Sequence, residues 1–264
     1  MKELGSLRKL QLTYQTVEPI HYALPVGEAC IPLNELLGET ILLEFKKDIF
    51  CIHCGKKTGK SFNQGYCFPC FRSLARCDIC IVKPELCHFH KNTCREPEWG
   101  QSHCMIPHTI YLANSSGLKI GITRSHQQTT RWMDQGAVAA LPIARVTSRL
   151  AAGKIEVAIK KTIADKTNWR VMLKGEIPEL DLQAEKTRLK KLIPTKIEHE
   201  WLEEETVMIH YPVLEYPQKI SSLNLEKTPK IKGKLLGLKG QYIILDSGVM
   251  NIRKYAGYQV QFEA

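Results

Sequence analysis

The chain has 264 residues, of which 44% are hydrophobic, and it carries a formal net charge of +10. This length accommodates one large domain or about two to three small ones, and the apolar content is ordinary for a globular protein. No apolar run approaches the roughly 20 residues that a membrane-spanning helix needs, so we expect no membrane partner.

The first 50 residues show strand patterns. Residues 10–14 alternate apolar and polar side chains, residues 40–45 form a second candidate strand, and residues 31–38 form a helical turn closed by Gly38. The start lacks the apolar core of a signal peptide, so we expect a cytoplasmic protein whose thiols stay reduced. Cys30 stands apart from the other cysteines, and we expect it to be a small buried apolar side chain.

Nine of the ten cysteines lie between Cys51 and Cys104. They begin with three Cys-x-x-Cys pairs, namely Cys51/Cys54, Cys67/Cys70 and Cys77/Cys80. The first two pairs are twelve residues apart, a spacing typical of a four-thiolate zinc site, because each pair presents two sulfur atoms from one tight turn. A domain held by disulfides is the less favoured alternative, since we find no export signal.

We predict about two structural zinc ions within residues 51–106. A sequential assignment places the first ion on the first two pairs, Cys51, Cys54, Cys67 and Cys70. The second ion would take Cys77 and Cys80 with two later residues. We favour Cys87 and Cys94 for these positions over the alternatives His88, His90 and Cys104. An interleaved arrangement, in which the first and third pairs share an ion, remains open.

Residues 107–170 carry a compact α/β pattern. Two strands, residues 109–113 and 118–122, are joined by a turn and predict a hairpin. A helix at residues 127–135, which stops at Gly136, and a third strand at residues 143–147 follow. Residues 155–164 predict an amphipathic helix, since Ile155, Ile159 and Ile163 share one face.

The rest of the chain predicts a charged helix at residues 182–192 and a strand at residues 206–211. Further strands are expected at residues 234–237, 242–245 and 249–252. Neither end of the chain has enough strands to bury a core alone, so we predict that residues 226–264 pair with residues 1–50 in one small sheet or open barrel. The expected class is α+β, with domains at residues 1–50 and 226–264, 51–106, and 107–225.

Thr109-Ile110-Tyr111 and Lys119-Ile120-Gly121, followed by Arg131 and Glu156 on the two predicted helices, resemble the signature of the GIY-YIG endonuclease superfamily. Thr109 stands where that superfamily has glycine, and Lys119 stands where it has tyrosine. The resemblance covers residues 111–168. It implies a GIY-YIG-like α/β domain in which Tyr111, Lys119, Arg131 and Glu156 are catalytic, with Mg²⁺ or Mn²⁺.

The same residues suit phosphodiester cleavage on chemical grounds. Arg131 could hold a phosphate with its bidentate fork, and Glu156 could hold one Mg²⁺. Tyr111 could orient or deprotonate water if the neighbouring Lys119 lowered its pKa. The structural alternatives are a half-buried strand tyrosine, a solvated arginine and a glutamate paired with Lys160 on the helix surface.

A second resemblance covers nearly the whole chain. The three cysteine pairs and residues 84–88, 93–100, 103–104, 111–123, 165–170 and 239–246 resemble an uncharacterised bacterial family of unknown function. That family lends no activity. It implies that the cysteine-rich segment and the GIY-YIG-like segment form one functional unit.

The positive charge is concentrated. Residues 51–150 contain thirteen Lys and Arg against five Asp and Glu, although zinc-bound thiolates would reduce the excess. We expect Lys56, Lys57, Lys60 and Arg124 to contact nucleic acid, and a solvated loop is the alternative for the three lysines. Three hypotheses follow, namely a zinc-supported nuclease, a non-catalytic module that binds RNA, DNA or a nucleoprotein, and a zinc scaffold for protein partners.

Overall fold

The computed structural model describes residues 1–16, 18–163 and 166–264. The chain divides into two compact units. Unit 1 comprises residues 1–72, 173–175 and 210–264, and unit 2 comprises residues 73–172 and 176–209. The boundary after Arg72 falls inside the cysteine-rich segment, so the cysteines of residues 51–70 belong to unit 1 and those of residues 77–104 belong to unit 2.

Within the described residues the chain forms fourteen β-strands and six α-helices. The strands are β1 (Lys2–Ser6), β2 (Gln11–Thr13), β3 (His21–Val26), β4 (Ala29–Pro32), β5 (Thr40–Ile49), β6 (His108–Asn114), β7 (Leu118–Arg124), β8 (Ala139–Val146), β9 (Glu200–Trp201), β10 (Val207–Met208), β11 (Lys230–Lys239), β12 (Tyr242–Leu245), β13 (Gly248–Asn251) and β14 (Tyr258–Glu263). The helices are α1 (Phe68–Ser73), α2 (Pro97–His103), α3 (Gln128–Asp134), α4 (Arg149–Ile159), α5 (Trp169–Lys174) and α6 (Leu182–Leu189). The mixture confirms the predicted α+β class.

Short 3-10 helices fill many of the connections, and four of them follow one another in the cysteine-rich segment. These four are Ala75–Cys77, Ile79–Ile81, Pro84–Leu86 and Phe89–Lys91. The others among the described residues are Asn34–Leu36, Ser125–Gln127, Lys190–Leu192 and Ile252–Tyr255. The first of these lies in the helical turn predicted for residues 31–38. No helix in the described part of the chain has the length and apolar character needed to cross a bilayer.

Unit 1 is built on a six-stranded antiparallel sheet in the order β1-β14-β5-β11-β12-β13. Strands from both ends of the chain therefore share this sheet. Tyr258, Val260 and Phe262 of β14 are buried, and the residues between them are half-exposed, so every second side chain enters the core. A separate three-stranded sheet has the order β2-β3-β4.

Cys30 corrects one of the predictions. It lies in β4, and its side chain is exposed, whereas that of its neighbour Ile31 is buried. Successive side chains of a strand point to opposite faces, so the burial of Ile31 leaves Cys30 on the outer face. The prediction was wrong because residue type alone does not show which face of the strand at residues 29–32 carries Cys30.

Unit 2 is built on a sheet in the order β10-β8-β6-β7, with β9 also paired to β8. The central strand β6 is buried along its whole length. Ile155 and Ile159 of α4 are fully buried and join one apolar cluster with Ile110 and Leu112 of the sheet. The two isoleucines lie one helical turn apart, so a single helix face covers the sheet.

The hairpin and helices predicted for unit 2 are observed with shifted ends. Strands β6 and β7 pair antiparallel, and Tyr111 lies opposite Gly121. Helix α3 corresponds to the prediction for residues 127–135. Helix α4 begins earlier than predicted, because the Ser148 side chain accepts a hydrogen bond from the Ala151 amide and caps the helix start. Ala164, the last residue of that prediction, and Asp165 of the family resemblance lie outside the described residues.

Candidate functional site

The first cysteine group forms a compact cluster in unit 1. Its four ligand atoms lie within 4.8 Å of one another, and they belong to Cys51, Cys54, Cys67 and Cys70. The Cys54 and Cys67 sulfur atoms are 3.8 Å apart. Two thiolates that each lie about 2.3 Å from a tetrahedral zinc are separated by about 3.8 Å. The structure thus brings together the four residues of the sequential assignment, and none of the ten cysteines, all of which the structure describes, forms a disulfide.

Tight turns present these sulfur atoms. The first turn follows β5 directly, and the Gly55 amide donates to the Cys51 carbonyl oxygen at 2.9 Å. Gly55 has a φ of +72°, a left-handed backbone that glycine adopts without steric cost. A bridge between Phe62 and Tyr66 then brings the chain into Cys67. Turn geometry therefore places the ligands, as in zinc knuckles generally.

Backbone amides favour ionisation of one thiol in this cluster. Burial opposes ionisation of Cys51, but backbone N–H groups of the surrounding turns, including that of Cys54, donate to its sulfur and lower its pKa to about 6. Burial and the neighbouring thiols raise the pKa of Cys70. Four thiolates at this spacing repel one another, so a cation is needed to hold all of them in the ligand form.

The later cysteines surround a small cavity in unit 2. Its volume is about 10 Å³, and the thiols that line it are those of Cys80, Cys87, Cys94 and Cys104. Cys77 is buried in the preceding 3-10 helix and does not line the cavity. The ligand atoms of Asp78, Cys80 and His88 also lie within 4.8 Å of one another. His90 is exposed. The structure thus brings together three of the four cysteines predicted for a second ion.

Tyr111 and Lys119 meet in the interior of unit 2. Tyr111 is 0% exposed and Lys119 is 4% exposed. The Tyr111 hydroxyl donates to Gln135 Oε1 at 3.2 Å, and Lys119 Nζ donates to the same oxygen at 2.6 Å. Gly121 leaves room for the tyrosine, because a Cβ at that position would lie 2.5 Å from the Tyr111 hydroxyl oxygen. The hairpin residues of the GIY-YIG resemblance are therefore in direct contact.

The pKa of Tyr111 moves in the direction opposite to the one we expected. Burial raises the pKa of Tyr111, although the charge of the nearby Arg131 guanidinium acts to lower it. Desolvation of a fully buried phenol thus outweighs the nearby positive charge. The expectation that a neighbouring cation would make Tyr111 more acidic is wrong, and at neutral pH the tyrosine acts as a hydrogen-bonding group.

Arg131 and Glu156 lie close to this tyrosine. Arg131 is exposed on α3, and its charge acts on Tyr111. Glu156 is half-buried on α4, and its charge acts on both Tyr111 and Arg149. The structure therefore groups the tyrosine, the arginine and the glutamate that the hairpin motif predicted.

Arg149 connects this region to the second cysteine group. Its Nη2 donates to the Ile81 carbonyl at 2.6 Å, and its Nε donates to the Cys80 carbonyl at 3.4 Å. Burial lowers the pKa of Arg149, while the Cys104 and Cys80 thiols act to raise it. The first residue of α4 is thus held by the backbone of the cysteine-rich loop.

Four arginines form what we call the arginine cluster, namely Arg76, Arg124, Arg131 and Arg149. Burial and then the charges of Arg149 and Arg76 lower the pKa of Arg124, and the charge of Arg131 acts on Arg149. Among the described residues, no ion pair with a carboxylate involves these four. By contrast, Arg145 pairs with Glu200 at 2.9 Å. Within the described part of the chain, the cluster is therefore a concentration of positive charge without a carboxylate ion pair.

The three predicted nucleic-acid-binding lysines lie in unit 1 and are less available for contacts with nucleic acid than the arginine cluster. Lys57 pairs with Asp48 at 2.7 Å. Lys60 Nζ lies 5.3 Å from the centre of the Phe62 ring, and that ring stacks on Phe71 at 5.6 Å. Lys56 is exposed. Because the Phe62 ring packs against Phe71 of its own chain, this contact favours a structural role for Phe62.

Three residues of these sites were not predicted as such. Gln135 bonds both Tyr111 and Lys119, Arg149 spans α4 and the cysteine loop, and Cys104 lines the second cavity. Gln135 precedes the glycine that ends the predicted helix, and Cys104 was considered as an alternative ligand. The sequence carried no signal for Arg149 beyond its place after the capping Ser148.

The family described as "Protein of unknown function (DUF2797)" matches residues 38–260. The chain belongs to the DUF2797 family. The matched residues include both cysteine groups, the hairpin and the arginine cluster, so these features of the DUF2797 member lie within the shared region. This confirms the predicted membership of a family of unknown function. No curated protein and no solved structure matches the chain.

Proposed function

We propose that this DUF2797 protein binds nucleic acid, with the phosphate backbone against the arginine cluster of unit 2. The observation that carries the proposal is the absence of a carboxylate partner for any of the four arginines, within the described part of the chain. Arg124 is half-exposed, and Arg76 and Arg131 are exposed. A guanidinium presents a planar fork that suits a phosphate oxygen pair.

Mutual repulsion supports the same conclusion. Burial lowers the pKa of Arg124, and the charges of Arg149 and Arg76 lower it further, so the guanidinium groups repel one another. A bound phosphate would remove this repulsion and release condensed counterions from the nucleic acid. The basic excess of residues 51–150 would then serve binding, and we propose Lys56 and Lys60 of unit 1 as weaker contributors.

We also propose that the four-thiol cluster of unit 1 holds a structural Zn²⁺. The donor set supports zinc, because four thiolates at these separations suit a tetrahedral ion. Free thiols persist as ligands in a reducing compartment, so we propose a cytoplasmic location for the protein.

Fluorescence anisotropy tests the binding proposal. Labelled single-stranded and double-stranded RNA and DNA are titrated with the zinc-loaded protein over a series of salt concentrations. We expect the logarithm of the binding constant to fall linearly with the logarithm of salt concentration. Arg124→Ala should weaken binding several-fold and reduce the magnitude of that slope by about one.

Arg188→Ala is the matched control. Arg188 is exposed in unit 2 but pairs with Glu185 at 2.7 Å, so its removal should leave the affinity unchanged. Equal losses of affinity in Arg124→Ala and Arg188→Ala would show only a general effect of removing positive charge. A binding constant that does not respond to salt, or no binding to any of the four nucleic acids, would contradict the proposal and favour a scaffold for protein partners.

Phosphodiester cleavage is the second candidate function. The close approach of Tyr111 to Gly121, with the charges of Arg131 and Glu156 nearby, supports it, because the GIY-YIG resemblance implies that these residues act together. In this role Arg131 would hold the phosphate, and Lys119 would keep Gln135 and Tyr111 in place. The raised pKa of Tyr111 favours a tyrosine that orients water by hydrogen bonding over one that removes its proton.

The donor set for a catalytic Mg²⁺ or Mn²⁺ is sparse. Glu156 belongs to neither of the two groups of three or more ligand residues found in the described part of the chain. One carboxylate holds Mg²⁺ weakly unless substrate phosphate and water supply the other ligands. For this reason we rank binding above cleavage.

The cleavage test uses the same labelled nucleic acids with Mg²⁺ and with Mn²⁺. If the protein cuts any of them, Arg131→Ala and Glu156→Gln should each abolish the products while circular dichroism shows a retained fold. Arg188→Ala should cut at the wild-type rate. Cleavage that survives both substitutions would place the activity elsewhere, and no products from any substrate would leave a DUF2797 binding module without chemistry.

A further inference from the structure

We infer that unit 2 holds a second zinc ion on the four thiolates of Cys80, Cys87, Cys94 and Cys104, and that Cys77 is not a ligand. This differs by one cysteine from the set that sequence spacing favoured. It also differs from the group of Asp78, Cys80 and His88 whose ligand atoms lie close together. The inference does not depend on nucleic-acid binding.

The cavity geometry is the first support. All four thiols line the same cavity of about 10 Å³, which is room for about one water-sized sphere. Cys80, Cys87 and Cys104 are buried, and Cys94 is half-buried. A cavity of that size, lined by four cysteines, suits a single ion.

Electrostatic proximity is the second support. The charges of Cys87 and Cys104 act on Cys80, and those of Cys87 and Cys94 act on Cys104. Each of the four thiols is therefore linked to at least one other.

Asp78 and His88 are already engaged in other contacts. One Asp78 oxygen lies 2.6 Å from Arg95 Nε, and the other accepts from the Cys80 amide at 3.2 Å. His88 Nδ1 lies 2.7 Å from Thr93 Oγ1. These bonds suit residues that orient the loop around a metal site, which is a common arrangement next to zinc ligands.

Charge compensation explains the position of Arg149. Four thiolates on Zn²⁺ leave a net charge of about −2 at the site. Arg149 is bonded to the carbonyls of Cys80 and Ile81, and the thiols of Cys80 and Cys104 act on its charge. Arg149 is half-buried and forms no ion pair with a carboxylate among the described residues, so the thiolates would supply negative charge beside it.

Zinc content of the full chain tests the inference. Elemental analysis of the wild type should give two zinc ions per chain. Cys104→Ser should give one, whereas Cys77→Ser and the exposed control Cys30→Ser should keep two. Loss of a zinc ion from Cys77→Ser, retention of both by Cys104→Ser, or fewer than two in the wild type would each overturn it.

Two further measurements protect the test against variants that do not fold. Cys77→Ala offers a second substitution with an apolar side chain in a buried turn, and it should also keep two zinc ions. Zinc X-ray absorption of the wild type should show about four sulfur neighbours per ion and no nitrogen or oxygen. A nitrogen or oxygen contribution would assign Asp78 or His88 as a ligand and overturn the four-thiolate set.

Discussion

At the scale of single residues, burial decides how the side chains of unit 2 can act. Tyr111 and Lys119 both donate to Gln135 Oε1 and have almost no exposure. Arg131 is exposed beside them. A ligand would therefore meet the arginine first, and the buried pair would act by fixing hydrogen bonds around it.

His108 provides a prediction for the stability of the fold. It is 0% exposed in β6, its Nδ1–H donates to the Ile106 carbonyl at 2.7 Å, and burial lowers its pKa from 6.5 to about 4. Arg149, Arg124 and His126 face it and lower the pKa further. Between these two pH values the unfolded chain binds more protons than the folded one, so stability falls as pH falls.

Above pH 6.5 His108 is neutral in both states and contributes nothing to the pH dependence. We expect the loss of folding free energy caused by His108 to reach about 3 kcal/mol near pH 4. The free energy of unfolding, measured in denaturant from pH 7 to pH 4, should fall more steeply for the wild type than for His108→Asn. Parallel curves for the two proteins would contradict the prediction. Loss of zinc at low pH affects both proteins alike, so it does not contribute to the difference between their curves.

At the scale of elements, α4 is fitted against the cysteine-rich loop of unit 2. Gly153 faces the 3-10 helix Pro84–Leu86, and a Cβ there would lie 2.5 Å from the Glu85 amide nitrogen. Arg149 bonds to two loop carbonyls at the start of the same helix. The loop and the helix that carries Glu156 are therefore one packed assembly.

Gly153→Ala should destabilise the protein, although alanine is the better helix former. In an open helix position the change would stabilise by up to about 1 kcal/mol. Here the added methyl group meets backbone atoms that cannot rotate away, so we expect a loss of about 1–3 kcal/mol. Denaturant unfolding of the zinc-loaded protein measures this change in the free energy of unfolding.

Lys154→Ala is the control for this change, because Lys154 is exposed on the same helix. It should alter the free energy of unfolding by less than about 0.5 kcal/mol. A stabilised Gly153→Ala protein would show that the loop moves away from α4 without cost, and the close packing of loop and helix would then be unimportant.

At the scale of the whole molecule, each unit contains one group of clustered cysteines. In unit 1 the cluster follows the sheet strand β5, and in unit 2 it precedes β6. The four consecutive 3-10 helices of residues 75–91 are each three residues long, so their backbone hydrogen bonds do not build one continuous element. Metal ligation would supply the order that such segments lack.

Removal of zinc should therefore weaken the protein as a whole. We expect a strong chelator to lower the thermal unfolding temperature and to reduce the cooperativity of the transition, since metal-binding free energy contributes to folding. Addition of Zn²⁺ should restore the original curve, and addition of Mg²⁺ should not. An unfolding curve that is unchanged after complete removal of zinc would show that neither cluster depends on metal.

Much of the local structure could be predicted from the sequence. Residue patterns indicated the β6–β7 hairpin, helix α3 and the strands β11 to β13, because alternation and turn residues act within a few positions of one another. The spacing of Cys51, Cys54, Cys67 and Cys70 likewise predicted a four-thiol cluster. Two knuckles of fixed geometry leave few ways to place their sulfur atoms.

Only the tertiary structure decided the rest, because it depends on contacts between residues far apart in the chain. Burial of Tyr111, which sets its pKa, results from packing of α3 and the neighbouring strands. Cys104, and not Cys77, lines the second cavity, and the position of Cys104 depends on where α2 ends. The sequence thus determined which residues are able to bind metal or phosphate, and the folded chain decided which of them meet, since long-range packing sets both distance and desolvation.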